Sequence, residues 1–203
     1  EKEKKNFEFY SGSGSHYKEF QDIYIDEIRK FLLTFSSKPD VVDLGCGDFT
    51  IGSKVRQYCK NYIAVDIFED LIKDNKKRYS NLNVDFKVLD ITKEELPAGN
   101  ICFLRQVLQH FSNNNIQNFL KQIDGKYKYL VLTEHLPNNS FFKPNIDIVT
   151  GPQIRLYKNS GVILTERPFN LKVIDTKNIC NISSKQILGF EGVLNTKIYH
   201  LNK

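Results

Sequence analysis

The sequence lacks several features that would assign it to a particular class of protein. Its apolar runs fall short of the roughly 18 to 20 residues that a membrane-spanning helix requires, so no membrane span is expected. The four cysteines have no C-x-x-C spacing, which indicates neither a zinc site nor a disulfide framework. We therefore expect no metal, and free thiols in a reducing cytoplasm. Methionine is also absent, so we expect that Glu1 is not the natural start of the chain.

Size and composition are those of an ordinary globular domain. At 203 residues, 40% hydrophobic and 26% charged, the chain is long enough for one sizeable core and short for two. The net charge of +5 lies at one end, because residues 151–203 carry eight basic side chains against three acids. An anionic partner would approach this C-terminal quarter, although a solvated basic surface without a partner explains the same pattern.

Apolar segments typical of strands alternate with amphipathic segments typical of helices. A first helix is predicted over His16–Phe35, where apolar residues recur every three or four positions. The alternation that follows predicts β-α-β units and a parallel sheet covered on both faces, and two late segments predict an antiparallel pair at its edge. The predicted strands are DVVDLG, YIAVDI, NVDFKVLDI, ICFLRQVL, YKYLVLTEHL, FNLKVIDTKNIC and TKIYHLN, and the other predicted helices are Thr50–Lys60, Glu69–Tyr79 and Asn113–Ile123.

The stretch VVDLGCGDFT places two glycines between the first predicted strand and helix, where an open parallel sheet binds its ligands. A dinucleotide fingerprint would need a third glycine where Thr50 stands, and Asp48 would repel a phosphate from the helix N-terminus. A P-loop is excluded because no Gly-Lys-Ser/Thr follows. A cofactor with an amino group, a ribose and an adenine but no phosphate suits the turn better.

S-adenosylmethionine has this charge pattern. Asp43 is placed to hold its amino group, while Gly45 and Gly47 let the backbone pass under it. Asp66 ends the second strand and can accept both ribose hydroxyls, and Asp90 ends the third and can accept from the adenine amine. The other predicted cofactor contacts are the apolar walls Ile67, Phe68 and Ile91, together with Gln106 and Asp48. A structural role, as a helix N-terminal acid or a turn residue, explains Asp48 and Asp90 equally well.

The series D-L-G-C-G, V-D-I, L-D-I and R-Q-V-L-Q-H, in this order over Val41–Leu136, resembles the class I S-adenosylmethionine-dependent methyltransferases. SGSGSHY, GCGDF, FLRQVLQHFS and RPFNL extend the resemblance to a bacterial subfamily of small-molecule type whose members mostly lack an assigned substrate. Phe49 departs from the class, where a third glycine is common.

The resemblance implies an α/β, Rossmann-like methyltransferase fold, with a mainly parallel seven-stranded sheet, helices on both faces and an antiparallel C-terminal edge. It also implies that Ser13 and Ser15 fold over the cofactor near its carboxylate, and that the product is S-adenosylhomocysteine. We predict a single methyltransferase domain over residues 1–203. Its parts are an N-terminal loop and helix (1–37), a cofactor-binding core (38–136), a lid or acceptor loop (137–170) and C-terminal edge strands (171–203).

The acceptor is less well defined by these motifs. The N/D-P-P-Y/F signature of transfer to amide or nucleobase amines is absent after the fourth strand, so we expect O-methylation of a small-molecule or glycan-like acceptor. Candidate bases are His110, Glu134 and His135; strand alternation lets only one of the last two reach the site, and Glu134 is preferred. Candidate groups for an anionic acceptor are Arg105, Arg155 and Arg167. As an alternative to catalysis, His110 has a structural role. As an alternative to acceptor binding, Arg105 pairs with Asp43.

Three other functions are compatible with parts of this pattern. An RNA or other nucleic-acid methyltransferase would use the basic C-terminal quarter, but the aromatic residues are not interleaved with a basic patch, so nucleic acid is not the expected partner. A nucleotide-binding oxidoreductase is disfavoured by Asp48. A non-catalytic protein that binds S-adenosylmethionine would show the same cofactor motifs, because fold and cofactor site do not guarantee turnover.

Overall fold

The computed structural model describes residues 18–139, 141–183 and 192–202. The helices are α1 (Lys18–Leu32), α2 (Thr50–Val55), α3 (Glu69–Arg78) and α4 (Asn113–Ile123). The strands are β1 (Val41–Leu44), β2 (Tyr62–Asp66), β3 (Asp85–Val88), β4 (Ile101–Arg105), β5 (Tyr129–Leu136), β6 (Val173–Ser183) and β7 (Val193–Leu201).

The strands form one seven-stranded sheet in the order β3-β2-β1-β4-β5-β7-β6. Strands β1 to β5 pair in parallel, whereas β7 is antiparallel to both of its neighbours, β5 and β6. The strand order reverses between β1 and β4, which is where an open sheet of this kind binds ligands beyond the carboxyl ends of its strands. The predicted mainly parallel seven-stranded sheet and its antiparallel C-terminal edge are confirmed.

A core lies on each face of the parallel strands. Helix α1 packs on one face through four side chains spaced four residues apart and at most 8% exposed: Phe20, Tyr24, Ile28 and Leu32. Helix α4 covers the other face through Ile116, Phe119 and Ile123. Strand β4 is almost wholly apolar because it is buried on both sides. All four cysteines are free, and three of them are buried in these cores.

Several predicted elements end earlier than expected. Helix α2 ends at Val55 rather than Lys60, because the buried Arg56 turns to donate to the carbonyl oxygens of Cys59 at 2.8 Å and Asn83 at 2.9 Å. The third strand ends at Val88, before the turn at Asp90. The first predicted helix begins at Lys18 within the described residues, and the predicted start at His16 lies outside them.

The segment from Pro137 to Lys172 has almost no regular structure, yet much of it is packed. Val162 and Leu164 belong to the core beside α4, and Arg155 and Ser160 are fully buried. Asn145, at φ +58°, accepts from the Ile163 amide and donates to its carbonyl, which joins two parts of the segment. Parts of this segment are therefore anchored in the core, whereas Val149 and Tyr157 are exposed, and a role of residues 137–170 as a lid or acceptor loop stays a prediction.

Candidate cofactor and acceptor site

The glycine turn after β1 has a backbone that only glycine accommodates readily. Gly45 and Gly47 have φ angles of +74° and +56°. A Cβ on Gly45 would lie 2.5 Å from Cγ2 of Val107, which is closer than real contacts allow. The amides of Gly45 and Cys46 both donate to the Val65 carbonyl at 2.9 Å, which fixes the turn against β2. The backbone is thus held at the carboxyl edge, and at Gly45 it packs directly against the Val107 side chain.

Asp66 lies at the carboxyl end of β2 and is bonded to the turn. One oxygen accepts from the Gly47 amide at 3.0 Å and the other from the Phe68 amide at 3.2 Å. Burial raises the pKa of this carboxyl above its ordinary value, against the effect of these amides. Beside it, the side chains of Ile67 and Phe68 are 56% and 67% exposed. An acid next to two uncovered apolar side chains suits a ligand with a ribose and a flat base, as predicted.

Asp43 lies on β1 at the same edge and is held by a residue that the sequence analysis did not single out. The Tyr62 hydroxyl donates to Asp43 Oδ2 at 2.9 Å. Burial raises the pKa of Asp43 to about 6, while the Tyr62 hydrogen bond and the nearby Arg105 guanidinium oppose that shift. Tyr62 carries no motif of its own, and only the register of β1 against β2 reveals its role. Asp43 keeps an accepting oxygen at the edge where an amino group is expected.

Asp48 and Asp90 both have local structural roles. Asp48 is buried, and its Oδ1 accepts from the Thr50 amide at 3.1 Å at the start of α2. Asp90 accepts from the Thr92 hydroxyl at 2.6 Å and lies 3.0 Å from Nζ of Lys93; mainly the hydroxyl lowers its pKa. The structural alternative therefore accounts for both acids. Ile91 is only 6% exposed and packs in the core, and its contact with the adenine stays a prediction.

Arg105 ends β4 at the same edge, and Gln106 follows it. Gln106 has φ +56°, and its amide donates to the Thr133 carbonyl at 2.7 Å, so β4 stops there. The Arg105 guanidinium carbon lies 5.9 Å from the centroid of the Tyr24 ring. A narrow cleft under α1 is lined by Phe20, Gln21, Tyr24, Ile51, Arg105, Gln106, Thr133, Ile182, Leu194 and Thr196. Arg105 thus lies between this cleft and Asp43.

The three predicted bases differ in access. Glu134 and His135 are each only 2% exposed, because both faces of β5 are covered. Burial raises the pKa of Glu134 to about 8 and lowers the pKa of His135 to about 4. His110, in the 3₁₀ turn Leu108–His110, is half-buried, and burial lowers its pKa as well. The preference for Glu134 as the group facing the acceptor does not agree with its burial.

The side chain of Arg155 is not accessible to an acceptor, and Arg167 lies in a different part of the surface. Arg155 is fully buried, and its guanidinium donates to the Leu108 carbonyl at 2.8 Å and to Asn113 Oδ1 at 2.8 Å. Arg167 is exposed, but the adjoining Pro168 lines a hollow with Leu201, at the edge where the parallel strands begin. The Arg155 guanidinium is therefore bonded to the protein itself, and acceptor binding by either arginine stays a prediction. The predicted contacts Ser13 and Ser15 lie outside the described residues.

Residues 18–139, 141–183 and 192–202 contain no cluster of three or more His, Cys, Asp or Glu side chains that could hold a metal ion. None of the helices described is long and apolar enough to cross a bilayer.

Comparison with known proteins places this geometry in a family context. A family model for a methyltransferase domain matches residues 41–127, which contain the glycine turn, Asp66 and β4. Comparison with curated proteins gives no significant match.

Solved structures show the same fold at low identity. The N-methyltransferase NodS from Bradyrhizobium japonicum, in complex with S-adenosylhomocysteine, is 11% identical over 93% of this chain and 91% of its own, with a TM-score of 0.65. The bifunctional kinase-methyltransferase WbdD is 10% identical over 90% of this chain and 39% of its own, with a TM-score of 0.61. TehB from Haemophilus influenzae is 12% identical over 88% of this chain and 62% of its own, with a TM-score of 0.58.

Proposed function

Because the chain is a class I S-adenosylmethionine-dependent methyltransferase, we propose that it transfers the donor's methyl group to an oxygen of a small, anionic or glycan-like acceptor. When bound, S-adenosylmethionine supplies an electrophilic methyl group on a sulfonium. We further propose that residues 1–203 act as one methyltransferase domain, and that it works in the cytoplasm, where three buried free thiols remain reduced.

The donor half of the proposal is supported chiefly by Asp66 and the groups around it. Asp66 is bonded to the Gly47 amide and adjoins the exposed Ile67 and Phe68. In our proposal its carboxylate accepts from the ribose hydroxyls and the two apolar side chains pack on the adenine. Asp43 accepts from the amino group, with Gln106 as a further contact, while Asp48 shapes the turn.

The acceptor half is supported by the position of Arg105. Arg105 lies next to Asp43 and the cleft under α1, whereas the guanidinium of Arg155 is fully buried and bonded to the Leu108 carbonyl. A guanidinium can bind a carboxylate or phosphate through two parallel hydrogen bonds. We therefore propose that Arg105 orients an anionic acceptor toward the donor.

His110 is the proposed base. Burial lowers its pKa, so that the imidazole is neutral at pH 7 and can accept a proton from a hydroxyl. Glu134 and His135 are nearly fully buried and are proposed to act on the structure around the site.

The test begins with calorimetric titration of S-adenosylhomocysteine into the protein and its Asp66 variants. We expect Asp66→Ala to weaken binding by more than about 100-fold, because two hydrogen bonds to a charged group are lost, and Asp66→Asn to be intermediate. NAD and ATP serve as control ligands. Preferential binding of NAD would contradict the donor assignment.

The acceptor is then sought with S-adenosylmethionine labelled in the methyl group. The panel contains uronic acids, sugar phosphates, uncharged sugars, amines and RNA, and the amines are included because NodS is an N-methyltransferase. We expect label on an anionic sugar hydroxyl, a reduced rate in His110→Ala and a raised KM in Arg105→Met. Label on amines or RNA would overturn the acceptor assignment, and binding without any transfer would favour a non-catalytic role.

A further inference from the structure

A single residue of the connection between β4 and α4 is held by two buried ionisable side chains. The Leu108 amide donates to Glu134 Oε1 at 3.1 Å, and the Leu108 carbonyl accepts from Arg155 Nη1 at 2.8 Å. Glu134 is 2% exposed and Arg155 is fully buried. These side chains come from β5 and from the irregular segment 47 residues after Leu108. Both hydrogen-bonding groups of one backbone residue are thus bonded to buried ionisable groups.

The irregular segment is bonded to the same connection at further points. Arg155 Nη2 donates to Asn113 Oδ1 at 2.8 Å, and the Asn113 amide donates to Asp147 Oδ1 at 2.7 Å. The Gly151 amide donates to the His110 carbonyl at 3.0 Å. Residues 108–113, which include the proposed base, are therefore fixed against residues 147–155 on one side and against β5 on the other.

Glu134 is unusual among the acids of this protein. Its Oε2 is buried and has no hydrogen-bond partner among the described residues. Burial raises the pKa of Glu134 to about 8, although the nearby Arg155 opposes the shift. A buried carboxyl with an unsatisfied oxygen costs folding free energy, so its presence calls for a compensating role.

We propose that Glu134 and Arg155 are positioning residues, which hold Leu108 from both sides and so set the place and environment of the His110 imidazole. This rests on the proposed function only in calling His110 the base. The irregular segment then has a structural role, because it holds residues 108–113 in place at the carboxyl edge.

Four variants separate positioning from charge and from folding. Glu134→Leu removes the acceptor for the Leu108 amide, whereas Glu134→Gln retains an acceptor of nearly the same shape. Arg155→Lys keeps the charge and loses the planar pair of donors. Lys158→Met is the matched control, because it removes a charge from the same 3₁₀ turn and the Lys158 ammonium donates to the Asp147 carbonyl at 3.0 Å without contacting Leu108.

The measurements need no acceptor. The C2–H resonance of His110, identified by its absence from a His110→Gln spectrum, reports the pKa of the imidazole, and amide hydrogen exchange reports protection of the Leu108 N–H. We expect Glu134→Leu to speed hydrogen exchange of the Leu108 amide about tenfold, because that amide loses its acceptor. Arg155→Lys should speed it less, because Arg155 bonds the Leu108 carbonyl and not the amide. In both variants the pKa of His110 should move toward its ordinary value of 6.5.

We expect Glu134→Gln and Lys158→Met to behave as the unaltered protein in both measurements, and S-adenosylhomocysteine to bind all four variants within about threefold, because its proposed contacts lie on β1 and β2. A merely stabilising role would lower the melting temperature and leave the His110 titration unchanged, which would overturn the proposal. If Glu134→Leu does not fold, the His110 titration and the Leu108 exchange rate of Arg155→Lys test the proposal. A fully active His110→Ala would refute the proposed base and leave these results standing.

Discussion

The two halves of the carboxyl edge use their polar groups in opposite ways. On the β1–β2 half, Asp43 and Asp66 are partly exposed, and the apolar Ile67 and Phe68 next to them face solvent. On the β4–β5 half, Glu134 and its partner Arg155 are buried and bonded to backbone. The first half is open to a ligand, whereas on the second half Glu134 and Arg155 hold the backbone at Leu108. An acid at the end of a strand can therefore either face a ligand or hold the backbone, and the residue type alone does not distinguish the two roles.

The largest expected effect comes from adding a Cβ to the glycine turn on the β1–β2 half. Gly45→Ala should weaken S-adenosylhomocysteine binding by more than about 100-fold, since a Cβ there lies 2.5 Å from Val107 Cγ2 and the φ of +74° adds strain of about 1 to 2 kcal/mol. Titration calorimetry measures the loss. The matched control is Gly125→Ala, at φ +65° with no atom within 4 Å of its Cβ, which should cost similar strain and leave binding intact.

The buried half is tested through the pH dependence of stability. The ordinary pKa of Glu134 is 4.5 and its folded value is about 8, so protonated Glu134 contributes stability that is fully present below pH 4.5 and is lost as the pH rises toward 8. Glu134→Gln should remove this decline, which is on the order of 3 kcal/mol between pH 5 and 8. Urea denaturation at several pH values measures it. The exposed Glu166→Gln should leave the profile unchanged, and an equal slope in both variants would contradict the assignment.

The open half has its own pH dependence. Because the folded pKa of Asp43 is about 6, its carboxylate is mostly ionised only above that pH. Affinity for S-adenosylhomocysteine should therefore rise about tenfold from pH 5 to 7 and then level off, because the ionised form accepts from the ligand's amino group. Asp43→Asn should bind more weakly with a flat profile. A rise that persists in this variant would assign the titration to another group.

The smallest expected effect concerns the exposed apolar pair. Ile67→Ala should weaken S-adenosylhomocysteine binding roughly tenfold, through lost burial of apolar surface against the adenine. Stability should hardly change, because the side chain is 56% exposed. Ile174→Ala is the control, since Ile174 is 60% exposed on β6. Equal effects of the two variants would remove Ile67 from the site.

The open half could be predicted from the sequence and the buried half could not. Gly45, Gly47 and Asp66 follow one another at strand ends, so local pattern and fold class suffice to bring them together. The fate of Glu134 depends on Arg155, which reaches Leu108 from a segment without periodicity. The local acids were also ambiguous: a turn such as that of Asp90 and Thr92 looks the same in sequence as a ligand contact.

The place of β7 has a consequence for the order in which the chain can assemble during synthesis. The strand pairs with β5 on one side and β6 on the other, although it is the last of the described strands. As the chain leaves the ribosome, the parallel strands can associate as soon as they emerge, whereas β6 has no neighbour until β7 is made. Until then the edge of β5 stays unpaired and open to association with other chains. The insertion of β7 thus covers the edge of β5 and leaves β3 and β6 as the edges of the described sheet.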